Sequence, residues 1–192
     1  MAQTKKRKKF FDVSIPIIGK ETQLIGYEIG ELNGKTIKYD LTRMLKGKAM
    51  IMQLKIKVEG DKAIATPRST KLMPYFMKRV IRKGTNYVED SFSVKCKDAQ
   101  IRIKPLLVTR RKVSRAVRKN LREKAKKELI DYVKDKNAET LFDEILQNKI
   151  QKTLSIKLKK IYPLSLCEIR IFEIEKFFTN EKISEPENSK KK

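Results

Sequence analysis

The chain has 192 residues and a formal net charge of +24 at pH 7, because 47 lysines and arginines oppose only 23 aspartates and glutamates. It contains no histidine and no glycine-rich phosphate loop, so the usual general base, triad partner and commonest metal ligand of enzymes are missing. A lone soluble domain normally carries a net charge of about 2 to 8 in magnitude, and this excess therefore favours a polyanionic partner, with nucleic acid first.

The sequence offers neither a membrane segment nor a reactive centre. No apolar run reaches the roughly 18 residues that a membrane-spanning helix needs, and the amino terminus lacks the pattern of a signal peptide. Cys96 and Cys167 are far apart and fit no metal-ligand spacing, which is typical of small hydrophobes in a reduced cytoplasmic protein. We expect no cofactor, no metal site, no membrane partner and no catalytic activity.

The two ends of the chain differ in character from the rest. Residues 1–9 include five consecutive cations with nothing apolar to pack, which predicts a disordered basic arm in the free protein. Residues 177–192 are polar and predict a flexible tail. No repeat or long linker divides the remainder, so residues 10–176 are expected to form a single domain.

Strand patterns dominate the first third of the chain. Asn33-Gly34 is a favourable hairpin turn and separates two strand-like segments, residues 24–32 and 35–41. Alternate positions are apolar over residues 50–58, which predicts a half-buried strand. A glycine-containing turn then leads into a partner strand over residues 62–66.

A helical pattern follows the second of these strands. Apolar residues recur at helical spacing from Leu72 to Ile81, and the outward positions up to residue 83 include four cations. Ser69 or Thr70 is the expected cap, and Gly84 is the expected stop. The sequence therefore predicts an amphipathic helix with a basic outer side.

Another pair of strands is predicted next. Residues 88–96 alternate between apolar and polar, residues 97–99 form a turn, and residues 100–109 resume the strand pattern. Pro105 cannot donate a backbone hydrogen bond to a neighbouring strand. We therefore expect that strand to lie at an edge of the sheet or to contain a bulge at Pro105.

The most basic segment, residues 102–127, carries many cations and a single acid, Glu123. Apolar residues spaced by four from Val113 to Leu129 predict one narrow stripe along a helix over about residues 112–133, roughly 30 Å long. Almost every position off the stripe is lysine or arginine. The amino-terminal half of this helix is therefore expected to follow phosphate groups while its carboxyl-terminal half packs on the body.

The last third of the chain predicts more helix and one more strand. Helical periodicity begins near Ala138 and continues with Ile156 and Ile161 on its inner side, until Pro163 ends it. Residues 164–175 read as a final strand. The fold class is therefore α+β, with an antiparallel, partly barrel-like sheet, a long basic helix and further carboxyl-terminal helices.

Four segments, in this order, carry a resemblance to a known family. Residues 9–16, KFFDVSIP, and residues 45–48, LKGK, resemble its opening motif and its LKGR motif. Residues 102–111, RIKPLLVTRR, resemble the strand before its basic helix, and residues 159–164, KKIYPL, resemble the exit from its last helix. Together they resemble the archaeal and eukaryotic small-subunit ribosomal protein family S-one-e, also called S-three-a-e, over about residues 8–176.

The resemblance implies a structural constituent of the small ribosomal subunit, located in the cytoplasm within the ribosome. It implies a place on the platform near the mRNA exit and the rRNA 3′ end. The implied partners are small-subunit rRNA, neighbouring small-subunit ribosomal proteins, and mRNA near its exit. The alternative is a free-standing nucleic-acid-binding protein without sequence specificity, such as a chromatin protein or an RNA chaperone.

Candidate RNA-binding residues are the cations of the arm, of the LKGK region, of the first helix and of the long basic segment. Tyr27, Tyr39, Tyr75 and Tyr87 are further candidates, because an aromatic ring can stack on an unpaired base. The predicted RNA-binding cations are Lys5, Lys6, Arg7, Lys8, Lys9, Arg43, Lys46, Lys48, Arg68, Lys78, Arg79, Arg82, Lys83, Arg102, Lys104, Arg110, Arg111, Lys112, Arg115, Arg118, Lys119 and Arg122.

Overall fold

The computed structural model describes residues 7–60 and 62–178. This part of the chain contains nine strands, four α-helices and one short 3-10 helix. The strands are β1 (Lys9–Ile15), β2 (Lys20–Gly26), β3 (Thr36–Asp40), β4 (Met50–Glu59), β5 (Lys62–Leu72), β6 (Tyr87–Glu89), β7 (Phe92–Lys95), β8 (Ala99–Thr109) and β9 (Leu164–Phe177). The helices are α1 (Pro74–Val80), α2 (Arg115–Lys134), α3 (Ala138–Leu146) and α4 (Lys149–Lys159), and the 3-10 helix spans Ile29–Leu32.

All nine strands belong to one sheet, which divides at β5. One edge of β5 pairs with β4 along its whole length, and β4 pairs with β3. The other edge pairs first with β1, in parallel at Ala63 and Ile64, and then with β9, antiparallel at Ser69–Lys71. β9 pairs with β8, which carries β6 and β7 on its far edge. The predicted α+β fold with a mainly antiparallel sheet is confirmed. The sheet is open and does not close into a barrel.

The predicted strand over residues 50–58 is confirmed as part of β4, whose alternate side chains from Met50 to Ile56 are buried.

The predicted hairpin at Asn33-Gly34 is wrong, because β3 pairs with β4 and not with β2. Asn33 has φ −60° and ψ 130° and Gly34 has φ 77°, and the Lys35 N–H donates to the Leu32 carbonyl at 3.1 Å. This is a type II turn, whereas two-residue hairpins require the primed types.

The structure shortens the first predicted helix and lengthens the strand before it. Ser69 and Thr70, the expected caps, are buried in β5, where Ser69 pairs with both β4 and β9. Helix α1 begins at Pro74, a residue preferred in the first helical turn, and ends at Val80, before Gly84. Pairing on both edges of β5 therefore keeps the segment extended up to Leu72.

Strand β8 shows how the sheet accommodates Pro105. The strand is internal, with β9 on one side, and its pairing with β9 shifts register between Lys104 and Pro105. On the other side β7 pairs up to Ile103 and β6 pairs from Leu106 onward, so Pro105 lies at the gap between them. The predicted strand over residues 88–96 is thus two short strands, and the bulge, one of the two predicted alternatives, is present.

Helices α2, α3 and α4 pack against strands β6, β7 and β9 of this sheet. Phe142 of α3 and Phe172 of β9 are fully buried and form an edge-to-face pair with ring centroids 4.9 Å apart. The helical region predicted after Ala138 consists of two helices, because Asn148 adopts a left-handed conformation with φ 57° and separates them. The break changes the helical phase, and Ile156, predicted to face inward, is 70% exposed.

Both cysteines are free and buried, as their sequence context predicts. Burial raises the pKa of the Cys167 thiol to about 12, with a smaller contribution from the neighbouring Glu168 carboxylate. The thiol therefore stays protonated near neutral pH. No helix within residues 7–60 and 62–178 is long and apolar enough to cross a membrane, and no group of three or more potential metal ligands occurs there.

Candidate nucleic-acid interface

Helix α2 is attached to the body by one apolar stripe. Leu121, Ala125, Leu129 and Val133 are buried, as the spacing of four residues predicts. Ser114 caps the helix, and its hydroxyl oxygen accepts a hydrogen bond from the Val117 backbone N–H at 3.4 Å. The helix thus begins three residues later than predicted, and its remaining sides are free to carry charge.

The cations of the first turns of α2 and of the loop before it face solvent. The first turn contains no acidic residue, although acids are preferred there because the amino-terminal end of a helix dipole is positive. Of these cations, only Lys119 forms an ion pair with a described residue. It lies 3.8 Å from Glu123, and both side chains are more than half exposed. The exposed cations here are Arg110, Arg111, Lys112, Arg115, Lys119 and Arg122, and Arg118 is half-buried.

An anion bound at this end of α2 would interact favourably with both the dipole and the cations. Without such an anion, the cations repel one another and the positive end of the dipole. The structure therefore concentrates positive charge where backbone N–H groups already favour a phosphate. We call Arg110–Lys112 together with the first two turns of α2 the basic surface.

The loop that begins the basic surface is fixed by two polar residues that sequence analysis did not single out. Thr109 is fully buried at the end of β8, and its hydroxyl oxygen lies 2.9 Å from the Asn86 carbonyl and 2.7 Å from the Arg111 carbonyl. The Asn86 side-chain oxygen accepts a hydrogen bond from the Val113 N–H at 2.9 Å. Asn86 and Thr109 are 23 residues apart in the chain, so no local pattern could have paired them.

A second group of predicted cations lies around α1. Lys78, Arg79, Arg82 and Lys83 are exposed, and one of them has a structural partner. The Arg79 guanidinium donates to the Gly47 carbonyl at 3.1 Å and lies 5.3 Å from the centre of the Phe76 ring. This contact joins α1 to the loop that carries the exposed Arg43 and Lys46.

Lys48, another predicted RNA-binding residue, lies inside the fold. Its ammonium nitrogen lies 2.5 Å from Glu168 Oε2, and the two side chains are only 10% and 12% exposed. The same ammonium donates to the Asn148 side-chain oxygen at 2.8 Å. Glu168 Oε2 has no other partner with hydrogen-bond geometry in the described chain. Lys48 therefore links the loop before β4 to α4 and β9.

Three more predicted cations lie away from the basic surface. Arg102 Nε is 2.6 Å from Glu175 Oε1, and the second Glu175 oxygen accepts from Gln100 at 2.8 Å. Lys104 and Arg68 are half-buried on β8 and β5. Of these three cations, Arg102 is neutralised by the Glu175 carboxylate on β9.

The described part of the arm is exposed, and Lys5 and Lys6 lie outside the described residues. Arg7 and Lys8 precede the sheet, and the Lys8 ammonium lies 5.5 Å from the centre of the Tyr27 ring. Lys9 begins β1 and pairs with Gly26, one residue before the predicted start of the domain. Phe10 is 69% exposed.

A comparison with known protein families identifies the family of this chain. A model of the Ribosomal S3Ae family matches residues 2–177. The chain belongs to this family. The predicted resemblance is thereby confirmed over nearly the whole sequence, including β1, the basic surface and β9.

Three similar members of the Ribosomal S3Ae family are archaeal and carry the name small ribosomal subunit protein eS1. The protein of Nanoarchaeum equitans is 27% identical over 179 residues, which cover 88% of this chain and 90% of the relative. The protein of Methanobrevibacter smithii is 25% identical over 180 residues, covering 86% and 90%. The protein of Pyrobaculum aerophilum is 28% identical over 141 residues, covering 72% of this chain and 64% of the relative. Membership in a ribosomal protein family agrees with a structural protein that is not an enzyme.

Proposed function

We propose that this member of the Ribosomal S3Ae family is a structural constituent of the small ribosomal subunit that binds small-subunit rRNA through the basic surface and the arm. The observation that carries the proposal is the match of residues 2–177 to a ribosomal family, together with the exposed cations at the start of α2. The protein is then a cytoplasmic protein within the ribosome.

The chemistry of the basic surface suits folded RNA. Base edges in an A-form RNA helix are difficult to reach, so proteins bind it mostly through phosphates, 2′-hydroxyls and shape. Arginines and lysines on an exposed helix need only match the spacing of phosphates, and no base-specific chemistry is required. The cations around α1, with Arg43 and Lys46, give a second group of phosphate contacts.

The finer position follows the family resemblance. We place the protein on the platform, near the mRNA exit and the rRNA 3′ end, beside other small-subunit ribosomal proteins, with mRNA passing close to it. The neutralised side of β8 and β9, where Arg102 pairs with Glu175, suits a protein neighbour better than RNA.

Sedimentation separates this proposal from a free-standing nucleic-acid binder. The full chain, tagged and expressed in an archaeal cell, should sediment with small subunits in a sucrose gradient and remain there after a high-salt wash. A free-standing binder depends mainly on exposed charge, and high salt should release it. Recovery of the protein only at the top of the gradient would contradict the ribosomal assignment.

A deletion tests the proposed role of the arm. Removing residues 1–8 leaves β1 intact, since Lys9 is its first residue. We expect an almost unchanged thermal unfolding midpoint and lower incorporation into small subunits, because phosphate-binding cations are lost without loss of core contacts. A variant that keeps the length but carries glutamine at the arm cations is the matched control, and it should behave like the deletion. A large loss of thermal stability would show that the arm belongs to the fold.

A further inference from the structure

An open groove lies between α1 and the end of the sheet, beside the basic surface. Its volume is about 470 Å³, and its apolar lining includes Pro74, Met77 and Ile81. The Tyr87 ring forms another part of the lining and is 51% exposed. A half-exposed aromatic ring beside a flexible thioether offers a flat apolar face to a planar group.

The polar part of the groove is an ion pair. Arg170 of β9 donates from Nη1 to Glu89 Oε2 at 2.8 Å, across β8, and both residues line the groove. The two side chains are about one third exposed, so the second carboxylate oxygen and the remaining guanidinium N–H groups are reachable from solvent. The pair therefore presents a hydrogen-bond acceptor next to a donor.

Positive charge surrounds this groove. Lys78 forms part of the lining, and Arg82 and Lys83 follow α1 in an exposed segment. None of these three has an ion pair within the described ranges. The Thr85 hydroxyl donates to the Arg82 carbonyl at 2.8 Å, which fixes the turn that carries them.

The groove lies near the loop that begins the basic surface. Tyr87 follows Asn86 directly, and Asn86 accepts the hydrogen bond from Val113 that fixes the loop before α2. Tyr87 pairs with Val108, one residue before Thr109. The backbone of Tyr87 is therefore held next to the loop that carries Arg110–Lys112.

We propose that this groove holds one unpaired base of single-stranded RNA, stacked on Tyr87 with its polar edge against the Glu89–Arg170 pair; this inference rests on the proposed function. Each nucleobase has a flat face and an edge on which hydrogen-bond donors and acceptors are adjacent. The groove offers the Tyr87 ring to the face and the Glu89–Arg170 pair to the edge. Lys78, Arg82 and Lys83 bind the flanking phosphates. The site is tolerant of sequence, because stacking accepts every base.

The test uses the full chain and a short single-stranded oligouridylate, whose bases stack weakly on one another, with one central 2-aminopurine, whose fluorescence falls when the base stacks. Affinity is measured by titration over a series of salt concentrations for the wild type and three variants. Tyr87→Ala removes the ring, and Tyr87→Phe retains it. Tyr75→Ala is the matched control, because Tyr75 is 54% exposed on α1 but does not line the groove.

We expect Tyr87→Ala to weaken binding by about 5-fold to 150-fold, the range for one base stacked on an aromatic side chain. The slope of log affinity against log salt should not change, because no phosphate contact is lost. Tyr87→Phe and Tyr75→Ala should stay within a factor of about two of the wild type. The wild type and Tyr87→Phe should quench 2-aminopurine, and Tyr87→Ala should not.

Three results would overturn the base site. They are unchanged affinity and quenching in Tyr87→Ala, an equal loss in Tyr75→Ala, or no quenching by the wild type and Tyr87→Phe. Any of them, found together with steep salt dependence and sedimentation with small subunits, would reject the base site and leave the proposed ribosomal function standing. Absence of salt-dependent RNA binding in the wild type would instead reject the proposed function.

Discussion

Changing Arg111, Arg115, Lys119 and Arg122 together to glutamine is expected to weaken rRNA binding by about 200- to 1,000-fold near physiological salt. Each phosphate contact contributes about 0.7 to 0.9 to the slope of log affinity against log salt. Loss of four contacts should therefore flatten the slope by about 2.8 to 3.6. The measurement is a titration of small-subunit rRNA at several salt concentrations.

The fold should tolerate these four changes. All four side chains are exposed, and none belongs to the stripe from Leu121 to Val133 that attaches α2 to the body. Among the residues that the structure describes, the only ion pair lost is the exposed contact of Lys119 with Glu123, and pairs of this kind contribute at most about 1 kcal/mol. Arg118 is left unchanged because it is half-buried, with an enclosed Nε.

The matched control removes four charges from a different place. Lys149, Lys152, Lys159 and Lys160 are exposed on and just after α4, and their replacement by glutamine lowers the net charge equally. We expect a much smaller change of slope in this control. Equal slopes in both variants would mean that RNA senses only the overall charge of the protein, and the basic surface would lose its assigned role.

Changing Lys48 to methionine is expected to lower the free energy of unfolding by about 3 to 5 kcal/mol. Methionine fills a similar volume but leaves the Glu168 carboxylate enclosed without its partner, and removal of one member of a buried ion pair costs about this much. Asn148 also loses the donor to its side-chain oxygen. Denaturant unfolding followed by circular dichroism gives the value.

A double variant identifies the cause of that loss. Lys48→Met combined with Glu168→Leu replaces both charges by apolar groups and should recover most of the stability, because buried pairs exchanged for apolar side chains are often neutral. The control is Lys134→Met, which breaks a pair with Asp131 whose side chains are each 59% exposed, and it should cost less than about 1 kcal/mol. A loss of similar size in this control would contradict the explanation by burial.

The sequence predicted the features that depend on local periodicity. The stripe of α2 and the alternation of β4 are buried as expected, since a narrow apolar stripe and a period of two each have one favourable orientation in a folded chain. The cations next to the stripe are exposed for the same reason, because the buried stripe fixes which side of the helix faces solvent. Their position in the sequence therefore predicted the position of the basic surface. Only the first residues of α2 differ, because the cap is Ser114.

Features that depend on distant partners could not be predicted from local patterns. Ser69 and Thr70 have ordinary helix-cap chemistry, but pairing with β4 and β9 keeps them in a strand. Lys48 has a charged side chain of the kind usually found at a protein surface. Only the folded chain places it next to Glu168, which lies 120 positions later in the sequence. The sequence around Asn148 shows only a polar residue within a helical pattern. Its left-handed backbone conformation, which separates α3 from α4, is visible only in the structure.

The position of β9 has a consequence for synthesis of the chain. Of the described strands this one, Leu164–Phe177, is synthesised last, yet it lies between β5 and β8 and joins the two parts of the sheet. While the chain is still being translated, both neighbours therefore have an unpaired edge, and such edges pair readily with other chains. The basic helix α2 has been synthesised before β9 joins the two parts of the sheet. The nascent chain therefore exposes these strand edges together with its cationic helix until its carboxyl-terminal strand has emerged.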